Sequence, residues 1–294
     1  MSANVALTER QTRHQIFIQR RAGGVWKEIR PALRKLRADL VARLSRGEDP
    51  RSARLLADID DLVRRAGDDL GRDLLERGEE FAEFEVEFQN RMLDGLITTD
   101  AVLPPAEAIA AIATTAPTRM VDGTAQTIPQ MVARFTQSNQ RSVRTAIQAG
   151  VLGGTTTRDI AKEVGRLVTT RTAAQAEALT RTAINHIANQ SRMAVSRANA
   201  DVLQGERYSA TLDSRVTVTC SSLDGKVFPL GEGPVPALHF NCRSVRVPVI
   251  KDEFQLPGFE GERASSEGPQ SGRITYDGFL RNQSPEFQTE VLGE

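Results

Sequence analysis

The sequence predicts mainly α N-terminal and middle regions with extended helical arms, followed by a small α+β C-terminal unit. Three observations lead to this fold class. Apolar residues recur at steps of three and four over the first two hundred positions, as they do on one face of a helix. Of the 294 residues 39% are hydrophobic and 5% aromatic, which suits long amphipathic helices better than a thick sandwich core. After Gly205 the spacing changes to that of short strands.

The first hundred residues are the predicted arm region. We expect a short helix over residues 5–20 and an antiparallel helical hairpin over roughly residues 24–95. Between its two arms, Asp49 is suited to cap the second helix and Pro50 to occupy its first turn, where no backbone N–H is missed. The apolar seams of the two arms contain Trp26, Ile29, Leu33, Leu36, Leu40 and Leu44, then Leu55, Ile59, Leu62, Ala66, Leu70 and Leu74.

Glycines and prolines mark the predicted boundaries of three further regions after residue 100. Residues 101–150 are predicted to form a connector and a helix. Residues 151–250 hold a helix capped by a threonine after Gly154, then a long helix and the small α+β unit. Residues 251–294 are expected to form an extended C-terminal tail. The long helix is predicted at 172–200, and the strands at 207–212, 226–229 and 243–249.

Charge alternates in blocks along the chain, although the formal net charge is zero. Residues 1–50 carry +6, residues 51–100 carry −7, residues 119–200 carry +7 and residues 201–294 carry −5. Such blocks indicate contact with other charged macromolecules, or are simply the solvated faces of helices. The charge pattern alone leaves both interpretations open.

The ends and the cysteine content indicate the compartment. The N-terminus has no apolar segment of the signal-peptide type. The longest purely apolar run, residues 108–113, is far shorter than the roughly 20 residues that span a bilayer. We therefore expect a protein that is made and used in a cytoplasm, where two cysteines do not form a disulfide framework.

Both cysteines and one of the three histidines fall between residues 211 and 248. Cys220, His239 and Cys242 offer two thiolates and an imidazole, and a small unit without a core of its own gains most from a metal. A fourth zinc ligand is missing, because Thr217 stands where a Cys-x-x-Cys pair would begin and a hydroxyl binds zinc poorly.

Three interpretations of this cluster stay open. It holds a structural zinc ion, or Cys220 and Cys242 form a disulfide or redox-variable pair, or the thiols are simply buried beside a hydrogen-bonding histidine. A catalytic zinc is disfavoured because the motif places no Asp or Glu where a metallohydrolase keeps its general base.

Longer motifs around the cluster resemble a known family. Leu212-Asp213-Ser-Arg215 is followed by Cys220-Ser-Ser-Leu-Asp224-Gly225-Lys-Val-Phe228 and by Leu238-His239-Phe-Asn241-Cys242-Arg243. These blocks are similar to those of the tailed-phage head morphogenesis proteins, minor capsid proteins like Mu protein F. Further matches are Arg181-Thr182 upstream, and Thr275-Tyr276-Asp-Gly-Phe279-Leu280-Arg-Asn-Gln283 with Glu290-Val-Leu-Gly293 downstream.

The resemblance covers about residues 150–293 and assigns structural motif positions to Asp213, Arg215, Asp224, Gly225, Asn241 and Arg243. Two departures stand out. Thr217 replaces the first cysteine of the family block, which weakens the inference of zinc. Ala183 replaces an acidic residue after Arg-Thr, so that an ionic role there is lost.

The resemblance implies a structural, non-enzymatic minor head protein bound to the portal or the capsid interior, with roles in head assembly, DNA packaging or DNA ejection. Its partners would be the portal protein, the major capsid protein and packaged DNA, with no membrane. It would be present in the host cytoplasm during assembly and then in the virion head. Candidate contacts to DNA phosphates are Arg134, Arg141, Arg144, Arg158, Arg166 and Arg171.

Two other function classes compete. A metal-dependent nuclease would use His239 and Asn241, but it needs a second histidine nearby, and His14 and His186 are both distant in sequence. A DNA-binding assembly factor without portal contact would bind DNA with a salt dependence set by its arginines.

Overall fold

Two long antiparallel helices form the N-terminal third of the protein. The computed structural model describes residues 2–258 and 261–292, and in it α1 (Ala3–Leu44) is followed by α2 (Ala53–Asp94). His14 in α1 lies 2.6 Å from Glu85 in α2, while Arg43 lies 2.7 Å from Asp58, so the two helices run in opposite directions. All six predicted seam residues of α1 are buried, as the hairpin requires.

The α1 helix differs from the prediction because it does not break between residues 20 and 24. It continues through Gly23-Gly24 and past Pro31. The buried positions Ile18, Ala22, Val25 and Ile29 keep one helical face against the rest of the protein across the glycines. This packing outweighs the poor helix propensity of two adjacent glycines.

The middle region is helical and its ends are capped by threonines. The Thr127 side chain accepts from the backbone N–H of Gln130, and Gln130 accepts from that of Thr127, which together form a capping box. Thr156 caps the next helix, as predicted for this threonine stretch. The elements are α3 (Ala106–Thr114), β1 (Thr118–Arg119), β2 (Ala125–Gln126), α4 (Ile128–Leu152), α5 (Thr157–Leu167) and, after a π-helical turn at Val168–Thr172, α6 (Ala173–Ala198).

A small antiparallel sheet follows α6. Its central strand is β3 (Leu203–Ser209), which pairs with β4 (Val227–Phe228) on one side and β5 (Val245–Ile250) on the other. The short helix α7 (Val218–Leu223) lies between β3 and β4. All three strands lie close to their predicted positions, but β3 begins four residues earlier than expected and ends at Ser209.

The segment predicted as an extended tail contains regular structure. After a 3₁₀ turn at Asp252–Phe254, β6 (Glu262–Ser265) and β7 (Gly268–Ser271) form a hairpin, followed by α8 (Tyr276–Arg281) and α9 (Pro285–Leu292). Tyr276 and Phe279 are buried in a cluster with Leu212, so α8 packs on the loop that follows β3. Gly293 of the downstream motif lies outside the described residues.

One hydrophobic core runs from α1 to β5 and includes buried residues of α2, α4, α5 and α6. It contains a polar network centred on Glu85, whose side chain lies 2.6 Å from both His14 and Gln89 and 3.5 Å from Arg192. The predicted fold class is confirmed, with helices in the N-terminal and middle regions and small antiparallel sheets near the C-terminus. The domain boundaries stay predictions. Within the described residues, no helix is both long and apolar enough to cross a bilayer.

Candidate metal centre

The three predicted ligands come from two short segments that the small sheet brings together. Cys220 lies in α7, whose first turn is capped by Thr217 through a hydrogen bond from the Cys220 backbone N–H, 3.3 Å long. His239 and Cys242 lie in the loop that leads into β5, and the Cys242 backbone N–H donates to the His239 carbonyl at 3.1 Å. Within the described residues, these three form the one cluster able to hold a metal.

The ligand atoms converge. Cys220 Sγ lies 3.3 Å from His239 Nε2 and 3.9 Å from Cys242 Sγ, and all three atoms lie within 4.8 Å of one another. His239 Nδ1 lies 2.9 Å from the carbonyl of Phe240, to which it donates a hydrogen bond. This contact at Nδ1 orients the ring so that Nε2 faces the thiols, which is how metal-binding histidines are usually held.

Electrostatics distinguishes the two thiols, which are both buried and both free. A hydrogen bond from Cys242 and a further one from His239 lower the pKa of Cys220. The hydrogen bond to Cys220 and burial raise the pKa of Cys242. The same contact with Cys220 raises the pKa of His239. Cys220 is thus the preferred thiolate, stabilised by a neighbouring thiol and imidazole.

The spacing matches the edges of a zinc tetrahedron. Zn–S bonds of about 2.3 Å and Zn–N bonds of about 2.0–2.1 Å give edges of about 3.8 Å between two sulfurs and about 3.6 Å between sulfur and nitrogen. The measured separations of 3.9 and 3.3 Å lie within about 0.3 Å of these values. Two of the three edges therefore have lengths close to those of a zinc tetrahedron, while Cys242 Sγ and His239 Nε2 lie within 4.8 Å of each other, and no Asp or Glu takes part in the cluster.

Two hydroxyl groups border the cluster. Thr217 Oγ1 lies 3.2 Å from His239 Nε2, which places the residue that replaces the family cysteine beside the ligands. The Tyr208 hydroxyl donates to Cys220 Sγ at 3.2 Å, and burial strongly raises its pKa. Sequence reasoning missed Tyr208, because a tyrosine inside a strand carries no signal beyond strand propensity.

The cluster is accessible from one side. His239 is half-buried, and with Thr217 it lines a groove of about 1140 Å³ between α1, α6 and the loops around the sheet. An ion can therefore reach the cluster without unfolding the small unit, which a functional metal site requires.

The motif residues Asp213 and Arg243 hold two loops together. Their side chains form a two-point ion pair in which Arg243 Nη2 lies 2.9 Å from Asp213 Oδ1. The Asp213 carbonyl also accepts from the Tyr276 hydroxyl at 3.1 Å, which ties in α8. Arg215 contributes less, because its side chain is 79% exposed and its Nη2 lies 3.8 Å from Asp213 Oδ2, which is a weak ion pair.

Asp224 is the most highly connected of the motif residues. Its side chain is 1% exposed. The carboxylate accepts hydrogen bonds from the backbone N–H of Ala210 at 2.7 Å and from that of Tyr276 at 2.6 Å. Arg263 of the C-terminal hairpin adds a buried ion pair, with Nη1 to Oδ2 2.9 Å. Gly225 follows at a φ of +80°, a conformation that explains why glycine stands there.

Asn241 links the loop to α6. It adopts a φ of +59°, which asparagine tolerates better than most residues, and its backbone N–H donates to Thr182 Oγ1 at 3.0 Å. The Arg181-Thr182 motif thus contributes a hydrogen-bond acceptor for the loop. The next residue, Ala183, is fully buried, so an acidic side chain at this position of the protein would lose its water.

The six arginines predicted to contact DNA are spread over α4, α5 and the π-helical turn. Two of them have acidic partners: Arg144 binds Asp60 of α2 through two nitrogens, and Arg166 pairs with Glu163 at 2.6 Å. Arg134 lines a second groove, of about 530 Å³, beside His239. Their contact with DNA stays a prediction.

The other two histidines lie in the core. His186 is fully buried and its Nε2 lies 3.0 Å from the carbonyl of Ala116, while His14 contacts Glu85. Neither belongs to the cluster of Cys220, His239 and Cys242. The second histidine that a nuclease would need is thus held elsewhere.

Comparison with known proteins gives one match. Residues 141–247 match the family described as Phage Mu protein F like protein, and this segment contains Cys220, His239 and Cys242 together with the motif residues from Arg181 to Arg243. Neither the curated proteins nor the solved structures give a match.

Proposed function

We propose that the chain is a minor structural component of a tailed-phage head, on the premise that residues 141–247 match the Phage Mu protein F like family. The observation that supports this proposal best is the set of contacts that the motif residues make in the fold. Asp213, Asp224 and Asn241 each join separate segments of the chain through buried or half-buried contacts. Contacts of this kind, between segments far apart in the chain, are those of a scaffold.

The proposed location is the portal or the inner face of the capsid. The hairpin of α1 and α2 supports this, because its basic first arm and acidic second arm offer large charged faces. We infer that the hairpin docks on portal or major capsid subunits while the head assembles in the host cytoplasm. The protein then stays in the virion head and acts in DNA packaging or ejection.

A structural zinc ion belongs to this proposal. Cys220, His239 and Cys242 would hold it, and water or the Thr217 hydroxyl would lie near the fourth coordination position. Zinc would lock α7 to the loop before β5, in a unit whose own hydrophobic cluster is small. The role is structural because the cluster contains no carboxylate to act as a general base.

Quantitative mass spectrometry of gradient-purified virions, normalised to the portal protein, tests the head assignment. A few copies per particle, lost from particles assembled without portal, are expected. Complete absence from virions contradicts the proposal and leaves a transient assembly factor or an enzyme.

His239→Ala separates scaffold from nuclease in the purified protein. A scaffold loses stability or incorporation into heads, with no DNA cleavage by either form. Zinc-dependent cleavage of duplex DNA that disappears in a stably folded His239→Ala variant would establish the nuclease instead.

A further inference from the structure

The outer face of α1 carries a row of cations. Arg13, Arg20, Lys27 and Arg34 follow one another at intervals of seven residues, close to two full helical turns, so they lie above one another. The opposite face is the buried one, with residues such as Ile18 fully covered. All four cations are exposed.

Most of these cations have no acidic partner. Within the described residues, Arg20, Lys27 and Arg34 form no ion pair, and Arg13 contacts Glu9 while its side chain stays 68% exposed. The arginines of α2 behave differently. Arg64, Arg72 and Arg91 are all exposed as well, yet each pairs with an acidic residue within one turn of the same helix.

Two further arginines widen the row. Arg30 and Arg37 are exposed on the same helix, and Arg37 lies against Gly165, so that α5 borders the row on this side. Between residues 10 and 38 the sequence contains a single acidic residue, Glu28, and its carboxylate faces Arg21 and Arg77. We define the α1 basic face by Arg13, Arg20, Lys27, Arg30, Arg34 and Arg37.

We propose that the α1 basic face binds the phosphate backbone of double-stranded DNA without sequence preference. From Arg13 to Arg34 the row is about 31 Å long at about 1.5 Å per residue, close to one turn of a duplex, about 34 Å. Unpaired arginines meet phosphates without first breaking an ion pair. Arg144 and Arg166, both predicted from the sequence to contact DNA, would have to break one.

This inference rests on the proposed head function and assigns the basic face of α1 to DNA, so that docking of the hairpin on head subunits would use its other faces, such as the acidic face of α2. The experiment that tests it uses only the purified full-length chain. A failure to bind DNA would therefore leave the virion measurement unaffected. The reverse also holds, because DNA binding by this face does not require the protein to be in a head.

Fluorescence anisotropy with a 30-base-pair duplex of arbitrary sequence, between 50 and 200 mM salt, is the test. The triple variant R20Q/K27Q/R34Q should reduce the slope of log K against log salt by about 2.7, or about 0.9 for each cation lost. Over this fourfold salt range the affinity of the wild type should fall about 40-fold more than that of the variant. The control R64Q/R72Q/R91Q changes the net charge equally on α2 and should keep the wild-type slope.

Three results would overturn the proposal. The first is that the wild type does not bind the duplex at 50 mM salt. The second is that both triple variants lower the salt slope equally. The third is that the α1 triple variant changes self-association while its DNA affinity stays that of the wild type. The last would assign the face to protein contacts. Circular dichroism checks the fold, and if the triple variant unfolds, the single variant R34Q should still lower the slope by about 0.9.

Discussion

Arg263 in the C-terminal hairpin forms a buried ion pair with Asp224, 39 residues earlier in the chain. The same guanidinium donates to the carbonyls of Ala210 and Ile274 at 2.6 Å each. A carboxylate of the Leu-Asp-Gly motif thus fixes the hairpin and α8 against the unit that carries Cys220, His239 and Cys242. The C-terminal segment is therefore part of the folded structure of that unit.

Replacing Asp224 by asparagine should destabilise the protein. The change leaves the buried Arg263 without its counter-charge, and removing one partner of a buried pair costs about 3–5 kcal/mol. Chemical denaturation measures this free energy of unfolding. Asp277→Asn is the matched control, because Asp277 pairs with Arg281 on the surface of α8 and should change stability by less than about 1 kcal/mol. Equal losses in the two variants would contradict a special role for Asp224.

Replacing Thr217 by cysteine should strengthen zinc binding. Thr217 lies beside His239 Nε2, so a thiolate at this position would supply the fourth tetrahedral ligand. We expect the zinc affinity, measured by competition with a chromogenic chelator, to rise at least about tenfold, equivalent to about 1.4 kcal/mol. Thr219→Cys adds a thiol on the exposed side of α7 and should leave the affinity unchanged. Equal gains in both variants would show that Thr217 does not adjoin the metal.

The cluster itself was predictable from the sequence, whereas its surroundings were not. Two cysteines and a histidine confined to one short stretch predicted a site, and the structure brings Cys220, His239 and Cys242 within reach of one ion. The contacts of Asp224 with Arg263 could not be predicted, because they join segments far apart in the chain. No periodic pattern marks such partners, and the segment holding Arg263 lacks a helical seam.

The helices were predictable where their apolar face is continuous, and their ends were less so. The apolar seam of α1 predicted the helix correctly, but the predicted break between residues 20 and 24 does not occur, because the buried face continues across it. For β3, strand propensity located the element, while its ends depended on pairing with β5, which comes some forty residues later. Tertiary contacts decide both features.

Acid should destabilise the protein through His186. Full burial lowers the pKa of His186 to about 4, below its ordinary value of 6.5. Between these two pH values the unfolded chain binds a proton that the folded chain does not. The free energy of unfolding therefore falls as the pH drops from 6.5 to 4, by up to about 3 kcal/mol.

His186→Gln isolates this contribution. Glutamine can keep the hydrogen bond to the Ala116 carbonyl but does not titrate. Urea unfolding of both proteins at several pH values gives the difference in stability, in which the titration of shared carboxylates cancels. The difference should change across pH 6.5 to 4, and a constant difference would mean that His186 does not titrate with folding.

Two glycine substitutions should have opposite effects on stability. Gly67 of α2 lies where the helix crosses α4, and a Cβ there would come within 2.0 Å of Thr136 Oγ1. Gly67→Ala should therefore cost about 1–3 kcal/mol through overpacking. Gly24 lies within α1 with no atom within 4 Å of its Cβ position, so Gly24→Ala should stabilise by about 0.5–1 kcal/mol through helix propensity. Thermal unfolding measures both, and a tolerated alanine at position 67 would show that α2 and α4 pack less closely than described.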